Sequence, residues 1–160
     1  MLTRIRKAME EKDEGFTLIE LLVVIIIIGI LAAIAIPVYL NQRNKGYDAA
    51  AKSDAKALAN LEEAYLTDNP AYATVASAAD GTVTGGIADF KPTAGVITKA
   101  APNGASGFCI VSVSKSGKAF VFDSMAGGLS ATAHASGAAA VTAAAAVADS
   151  SCKVAAPSFA

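Results

Sequence analysis

The sequence is poor in the residues that most enzyme sites need. It has no tryptophan, one histidine and two cysteines among 160 residues. His134 has no nucleophile elbow or orienting motif near it, so a Ser-His-Asp triad gains no support. Cys109 and Cys152 form no CxxC pair and have no histidine nearby in the sequence, which excludes zinc-site spacing. A phosphate-binding loop is also missing. The sequence therefore predicts a protein without enzymatic activity or cofactor. Asp80, Asp89, Asp123 and Asp149 lack the spacing of an EF-hand, and a calcium site that forms only on folding stays open as an alternative.

Charge is scarce as well. Only 17% of the residues are charged, and the formal net charge is -1. No run of basic residues interleaved with aromatics is present, so nucleic-acid binding gains no direct support. The hydrophobic residues, 54% of the chain, form a dense block near the N-terminus, and the remainder is rich in Ala and Gly. The length allows one modest domain beside that block.

The two cysteines are far apart in the sequence. They are best explained as one disulfide bond if the domain lies in an oxidising compartment; the alternative is two unpaired thiols. A Cys109–Cys152 bridge would enclose the Ala-rich segment 131–148, whose secondary structure the sequence does not predict. Closing this loop of about 44 residues would stabilise the fold by roughly 4 kcal/mol on the chain-entropy model.

The N-terminal block has the length of a membrane span. Between Phe16 and Leu40 the only ionisable side chains are Glu20 and Tyr39. As a helix this stretch would be about 35 Å long, against about 30 Å for the hydrocarbon core of a bilayer. Basic residues precede it, among them Arg4, Arg6 and Lys7. The positive-inside rule then keeps the leader in the cytoplasm and directs the following domain outside, where cysteines can oxidise.

Two other interpretations of this block remain. One is an ordinary secretory signal peptide, with Ala33-Ile34-Ala35 as its cleavage site, although the apolar run is long for that role. The other is a plain membrane anchor, which gives no reason for Glu20. A carboxylate in a membrane helix costs about 2.5 kcal/mol or more if unpaired, so Glu20 either has a function or reaches back to the headgroups.

The segment around Glu20 resembles the class III signal sequence of type IV pilins and pseudopilins. Gly15, Phe16 and Glu20 have the spacing of that motif, and a long apolar run with Pro37 near its end follows. The resemblance implies that a prepilin peptidase cuts after Gly15 and that Phe16 is then N-methylated. It also implies that Glu20 neutralises the N-terminal ammonium of a neighbouring subunit, which would fix the axial register. Pro37 would allow a bend that helps the helix to pack among neighbours.

The pattern after Leu40 predicts an amphipathic helix that packs on a small sheet. Apolar residues recur at three- and four-residue spacing between Tyr47 and Tyr65, and Asp68-Asn69-Pro70 ends the pattern. Asp54 interrupts this stripe, and Glu62 is expected to lie mostly off it. The helix as a whole is predicted to cover about residues 16–67.

Further along, two strand-like segments surround the turn signal Ser116-Gly117 and predict a hairpin of residues 108–113 and 118–123. Val83 and Val96-Ile97 are candidates for short strands, and one or two strands are expected beside the hairpin. The fold class is therefore α+β: a long N-terminal helix, with a membrane-spanning half and an amphipathic half, packed on a small antiparallel β-sheet head.

Four segments follow from these predictions. They are a cleaved leader (1–15), a transmembrane and assembly half of the helix (16–40), an amphipathic half (41–68), and an extracellular head (69–160). The head would carry the disulfide-bounded loop 109–152, which is similar to the surface loop of pilins.

The resemblance implies a structural subunit of an extracellular type IV pilus that serves adhesion, motility or DNA uptake. Its implied partners are copies of itself in a helical filament, the inner membrane before assembly, the prepilin peptidase, a platform protein and an assembly ATPase. The resemblance further implies host surfaces or DNA as ligands that such a filament could bind. The alternative within the family is a pseudopilin of a type II secretion or competence system. A membrane-anchored or secreted binding module is the alternative outside it.

Overall fold

A computed structural model describes residues 15–130 and residue 133. One helix, α1, extends from Leu18 to Asp68. It ends where the sequence predicts, because the backbone N–H and the side-chain amide of Asn69 both donate to the carbonyl of Tyr65, at 3.1 and 3.0 Å, and Pro70 cannot continue the helix. The long N-terminal helix of the predicted fold is confirmed.

The chain divides into two compact units, Met1–Asn41 and Gln42–Ala160. In the first unit, the described residues form the apolar part of α1. Every side chain from Phe16 to Leu40 is exposed except Ala32, which is half-buried. This part of the helix is long and apolar enough to cross a membrane.

The second unit contains one six-stranded antiparallel sheet. Its strands are β1 (Val75–Ser77), β2 (Val83–Gly85), β3 (Ile97–Pro102), β4 (Phe108–Val113), β5 (Ala119–Asp123) and β6 (Gly128–Leu129). The strand order is β2-β1-β3-β4-β5-β6. Together with α1 this confirms the α+β fold class.

The predicted hairpin is present as β4 and β5. Val113 pairs with Ala119, and the N–H of Ser114 donates to the carbonyl of Lys118 at 2.8 Å. Gly117 has a φ of 88°, which the tight turn requires and which other residues seldom adopt. The expectation of one or two further strands is wrong, because four strands accompany the hairpin. Two of them, β1 and β6, have only 3 and 2 residues, too few for an alternating pattern.

One core cluster of the second unit lies between a face of the sheet and α1, and a separate cluster lies on β4 and β5. Ala55, Leu58 and Ala59 pack in the first cluster with sheet residues that include Phe108 and Ile110. The ring of Phe108 stacks on Phe122 with 5.8 Å between centroids and meets Tyr72 at 4.9 Å. Leu58, Leu61 and Tyr65 of the predicted stripe contact this core. Ala57 and Ala64, which the pattern also placed on the stripe, are exposed.

Two acidic residues of α1 are buried, and only Glu62 departs from the predicted pattern, which already placed Asp54 on the stripe. Glu62, expected off the stripe, is completely buried, and Asp54 is buried as well. Both accept hydrogen bonds from loop residues. Asp54 binds the N–H and hydroxyl of Thr93 at 2.7 and 2.8 Å, and Glu62 binds the N–H of Ala73 at 2.9 Å. Buried carboxylates are retained in the core when such donors are available.

Candidate assembly site at the start of the long helix

Thr17 and Glu20 form a capping box at the start of α1. The Glu20 carboxylate oxygen Oε2 accepts the N–H of Thr17 at 2.9 Å and its hydroxyl at 2.8 Å. The N–H of Glu20 points back to the Thr17 hydroxyl oxygen, 3.3 Å away. A threonine followed three residues later by glutamate pairs in this way because the first amides of a helix have no partner in the preceding turn. Sequence reasoning missed Thr17, although this spacing would have indicated it.

Glu20 stands alone as a carboxylate among exposed apolar side chains. Phe16 is 85% exposed and Leu18 is 81% exposed. In the part of the chain that the structure describes, both hydrogen bonds to the carboxylate end on Oε2. Oε1 is therefore available to a donor from another molecule.

Gly15 and Phe16 directly precede the capping box. A side-chain carbon added at Gly15 would meet no atom of the described residues within 4 Å, so these residues place no steric demand for glycine there. Close binding of the backbone by another molecule would be a reason for glycine at this position.

Pro37 lies inside α1, and the helix continues through it to Asp68. The loss of its N–H removes one helical hydrogen bond, which is the physical basis of the predicted bend. The bend stays a prediction.

Of the two cysteines, the structure describes Cys109 only. Cys109 is buried in β4, opposite Ala101 on one neighbouring strand and Asp123 on the other. Cys152, His134 and the loop segment 131–148 lie outside the described residues, apart from Ala133. The Cys109–Cys152 disulfide therefore stays a prediction.

Three carboxylates of α1 attach connecting segments to the helix. Asp48 accepts the hydroxyls of Ser114 and Ser116 and the amine of Lys118, which lies 3.1 Å away. Burial opposes the charge of Asp48, but the hydrogen bonds from both serines and the interaction with Lys118 outweigh it, so its pKa lies below the usual value. Asp54 and Glu62 bind two other loops. These contacts are structural, and within residues 15–130 no group of three His, Cys, Asp or Glu side chains could hold a metal ion.

Comparison with known proteins identifies the N-terminal segment. Residues 12–36 match the family model described as the prokaryotic N-terminal methylation motif. This range includes Gly15, Phe16 and Glu20 and ends one residue before Pro37. Because the motif is local in sequence, it could be found before the structure was known.

Relatives of two kinds match the chain. Type II secretion system core protein G of Aeromonas hydrophila is 38% identical over 85 residues, 53% of this chain and 55% of that protein. The protein of the same name from Pseudomonas aeruginosa is 43% identical over 61 residues, 38% of this chain and 43% of that protein. The type IV major pilin protein PilA of Myxococcus xanthus is 39% identical over 66 residues, 41% of this chain and 30% of that protein.

The matched stretch thus spans about half, or less, of the length of these relatives. No solved structure matches the chain.

Proposed function

We propose that this chain, which belongs by its N-terminal methylation motif and its relatives to the type IV pilin and prepilin family, is a structural filament subunit. The motif and the apolar part of α1 are those of a membrane-held precursor that enters a pilus or pseudopilus. We propose further that processing occurs at the Gly15–Phe16 bond and that the subunit then polymerises through α1.

One observation carries this proposal: the large apolar side chains between Phe16 and Leu40 are exposed. A helix that is apolar on all sides is stable only when other apolar material surrounds it. Lipid supplies that material before assembly, and the equivalent helices of neighbouring subunits supply it in a filament. If the helix served only to anchor the head in the membrane, it would not require a carboxylate such as Glu20 in its apolar segment.

The geometry of the capping box suggests how Glu20 acts during assembly. Cleavage after Gly15 creates an ammonium group on Phe16. Thr17 holds the Glu20 carboxylate through Oε2, so Oε1 is oriented and open to the ammonium of a neighbour. Opposite charges in a dry filament core attract strongly, and separating them is costly. Only one axial position of the neighbour pairs them.

Within the family, we favour a subunit of an extracellular type IV pilus that serves adhesion, motility or DNA uptake. The pseudopilin of a type II secretion system is the second candidate, and the relatives named core protein G support it. Deleting the gene separates the two. Loss of filaments from the sheared surface fraction would support the pilus subunit, whereas loss of protein secretion with surface filaments intact would support the pseudopilin.

The family role itself is tested by the intact mass of the protein, in membranes and in material sheared from the surface. We expect a mass that begins at methylated Phe16. Glu20→Gln should be cut normally, because the change keeps the shape of the side chain, and should lose at least about tenfold of the sheared subunit through loss of the charge pair. Glu63→Gln, which changes an exposed glutamate of the same helix, is the matched control and should assemble normally.

Two results would overturn the proposal. A mass that begins at Met1 or Ile36 would leave a simple anchor or a secreted domain. Normal filaments from Glu20→Gln would remove the role of the carboxylate.

The prepilin peptidase, the platform protein and the assembly ATPase are proposed partners. Gly15→Ala, expressed in cells that contain the peptidase, tests the first of them. This variant should accumulate as an uncut precursor in the membrane.

A further inference from the structure

The second unit brings together cations that are far apart in the sequence. Arg43 belongs to α1, whereas Lys115 and Lys118 belong to the turn between β4 and β5. Arg43 and Lys115 contact the ring of Tyr47, and Lys118 pairs with Asp48. We call Arg43, Lys115, Lys118 and Tyr47 the basic patch.

The aromatic ring of Tyr47 organises two of these cations. The guanidinium carbon of Arg43 lies 5.4 Å from the ring centroid, and its Nε donates to the Tyr47 hydroxyl oxygen at 2.7 Å. The amine of Lys115 lies 5.8 Å from the same centroid. The aliphatic stem of Lys115 also covers Gly95, where an added side-chain carbon would come within 3.2 Å of it. Cation–π contacts of this kind orient a charge while leaving it accessible to water.

Lys118 contributes less than the other two cations to the net charge of the basic patch. The amine of Lys118 pairs with Asp48 at 3.1 Å, and its side chain is 52% exposed. Asp48 thus offsets one positive charge, and Arg43 and Lys115, both exposed, carry the net charge of the patch.

We propose that the basic patch binds the anionic phospholipid headgroups of the membrane that holds the chain before assembly. In the chain, Arg43 follows the last residue of the apolar stretch, Leu40, by only two intervening residues. A few residues of helix amount to about 5–10 Å, which is the depth of the headgroup layer. Tyrosine is enriched at this depth because its ring is apolar and its hydroxyl is polar. Clustered Arg and Lys beside a span recognise anionic lipid.

This binding would give the head a preferred contact with the lipid surface. Each exposed cation near an anionic surface strengthens the association about fivefold at moderate salt, so the loss of two would weaken it about twenty-fivefold. The contact would be released when the subunit leaves the membrane. The inference depends only on the membrane-held stage and not on the type of filament.

The test uses the full chain in bilayer nanodiscs of phosphatidylcholine, with or without about one-third phosphatidylglycerol. Hydrogen exchange measured by mass spectrometry follows the amides of residues 114–118. Because the leader also contains basic residues, the measurement has to be local to this turn. We expect exchange there to slow several-fold in the anionic discs and the difference to disappear at high salt, where surface charge is screened.

Three variants separate charge from structure. Arg43→Gln with Lys115→Gln should lose the lipid-dependent protection. Arg43→Lys with Lys115→Arg, which keeps both charges, should retain it. Lys91→Gln with Lys99→Gln, which removes two charges elsewhere in the second unit, should also retain it.

Equal exchange of the turn in neutral and anionic discs would overturn the proposal. So would protection that follows the number of chains per disc rather than the lipid, because the patch would then contact other copies. Neither result bears on processing at Gly15, so a failure of this proposal would leave the proposed function unaffected.

Discussion

Glu62 is the residue whose environment departs most from that of a surface carboxylate. Its side chain is completely buried, and Oε2 accepts the N–H of Ala73 at 2.9 Å. Oε1 has no partner among the described residues. Burial raises the pKa of Glu62 from 4.5 to about 6; the Ala73 hydrogen bond opposes this shift, and the charge of neighbouring Glu63 adds to it. The folded chain therefore binds this proton more tightly than the unfolded chain.

The free energy of unfolding should accordingly rise as the pH falls from about 7 to about 4.5. The stabilisation from Glu62 is fully present below the unfolded pKa of 4.5 and is lost as the pH rises through about 6. The expected difference is about 1–2 kcal/mol. Glu62→Gln should flatten this dependence, as measured by urea denaturation across the range, whereas Glu63→Gln should largely preserve it. An unchanged slope in Glu62→Gln would show that another group is responsible.

At the scale of the elements, the β1–β2 hairpin depends on one glycine. Gly85, the last residue of β2, has a φ of 119°. A side-chain carbon there would lie 2.0 Å from the carbonyl oxygen of Thr74, a distance that only a backbone shift could relieve. Gly81, in the turn of the same hairpin, has a φ of 90° but open space around it.

These two glycines separate conformational strain from steric overlap. Gly81→Ala should destabilise the second unit by about 1 kcal/mol, because alanine disfavours positive φ. Gly85→Ala has the same strain together with the overlap, so we expect roughly 2–3 kcal/mol. Denaturant titration of both variants gives the comparison. Equal losses of unfolding free energy in the two variants would mean that the β1–β2 pairing shifts to relieve the overlap without further destabilisation.

The elements that were predicted correctly are those with a long or locally encoded pattern. Helix α1 has a periodic apolar face and an end signal at Pro70, and the hairpin has Ser116-Gly117 between two strand-like segments. The burial of Glu62 was predicted wrongly because a charged residue is normally outside the core and its donor, Ala73, lies in a loop.

The candidate site shows the same division. Glu20 was found from a short motif, whereas the basic patch joins residues 43 and 115 through the tertiary fold and leaves no local signal.

At the scale of the whole molecule, the described core belongs to the second unit. Its buried apolar residues all follow Gln42, the first of them being Ala51. A chain of residues 42–160 should therefore fold without the apolar part of α1. We expect it to be monomeric in size-exclusion chromatography without detergent, whereas the full chain needs detergent. Its free energy of unfolding should lie within about 0.5 kcal/mol of that of the full chain. Unfolded or aggregated material would show that the second unit needs the preceding helix.

The sheet ends in two very short outer strands. Among the described strands, β2 has 3 residues and β6 has 2, and they occupy the two margins of the sheet. An unpaired edge strand is a template on which the backbone of another molecule can continue the hydrogen bonding of the sheet. A very short edge strand offers few backbone groups for such pairing. In the proposed filament, identical heads that lie side by side would thereby be discouraged from joining laterally into a continuous, amyloid-like ribbon. Ordered growth of the proposed filament would then depend on the apolar helix.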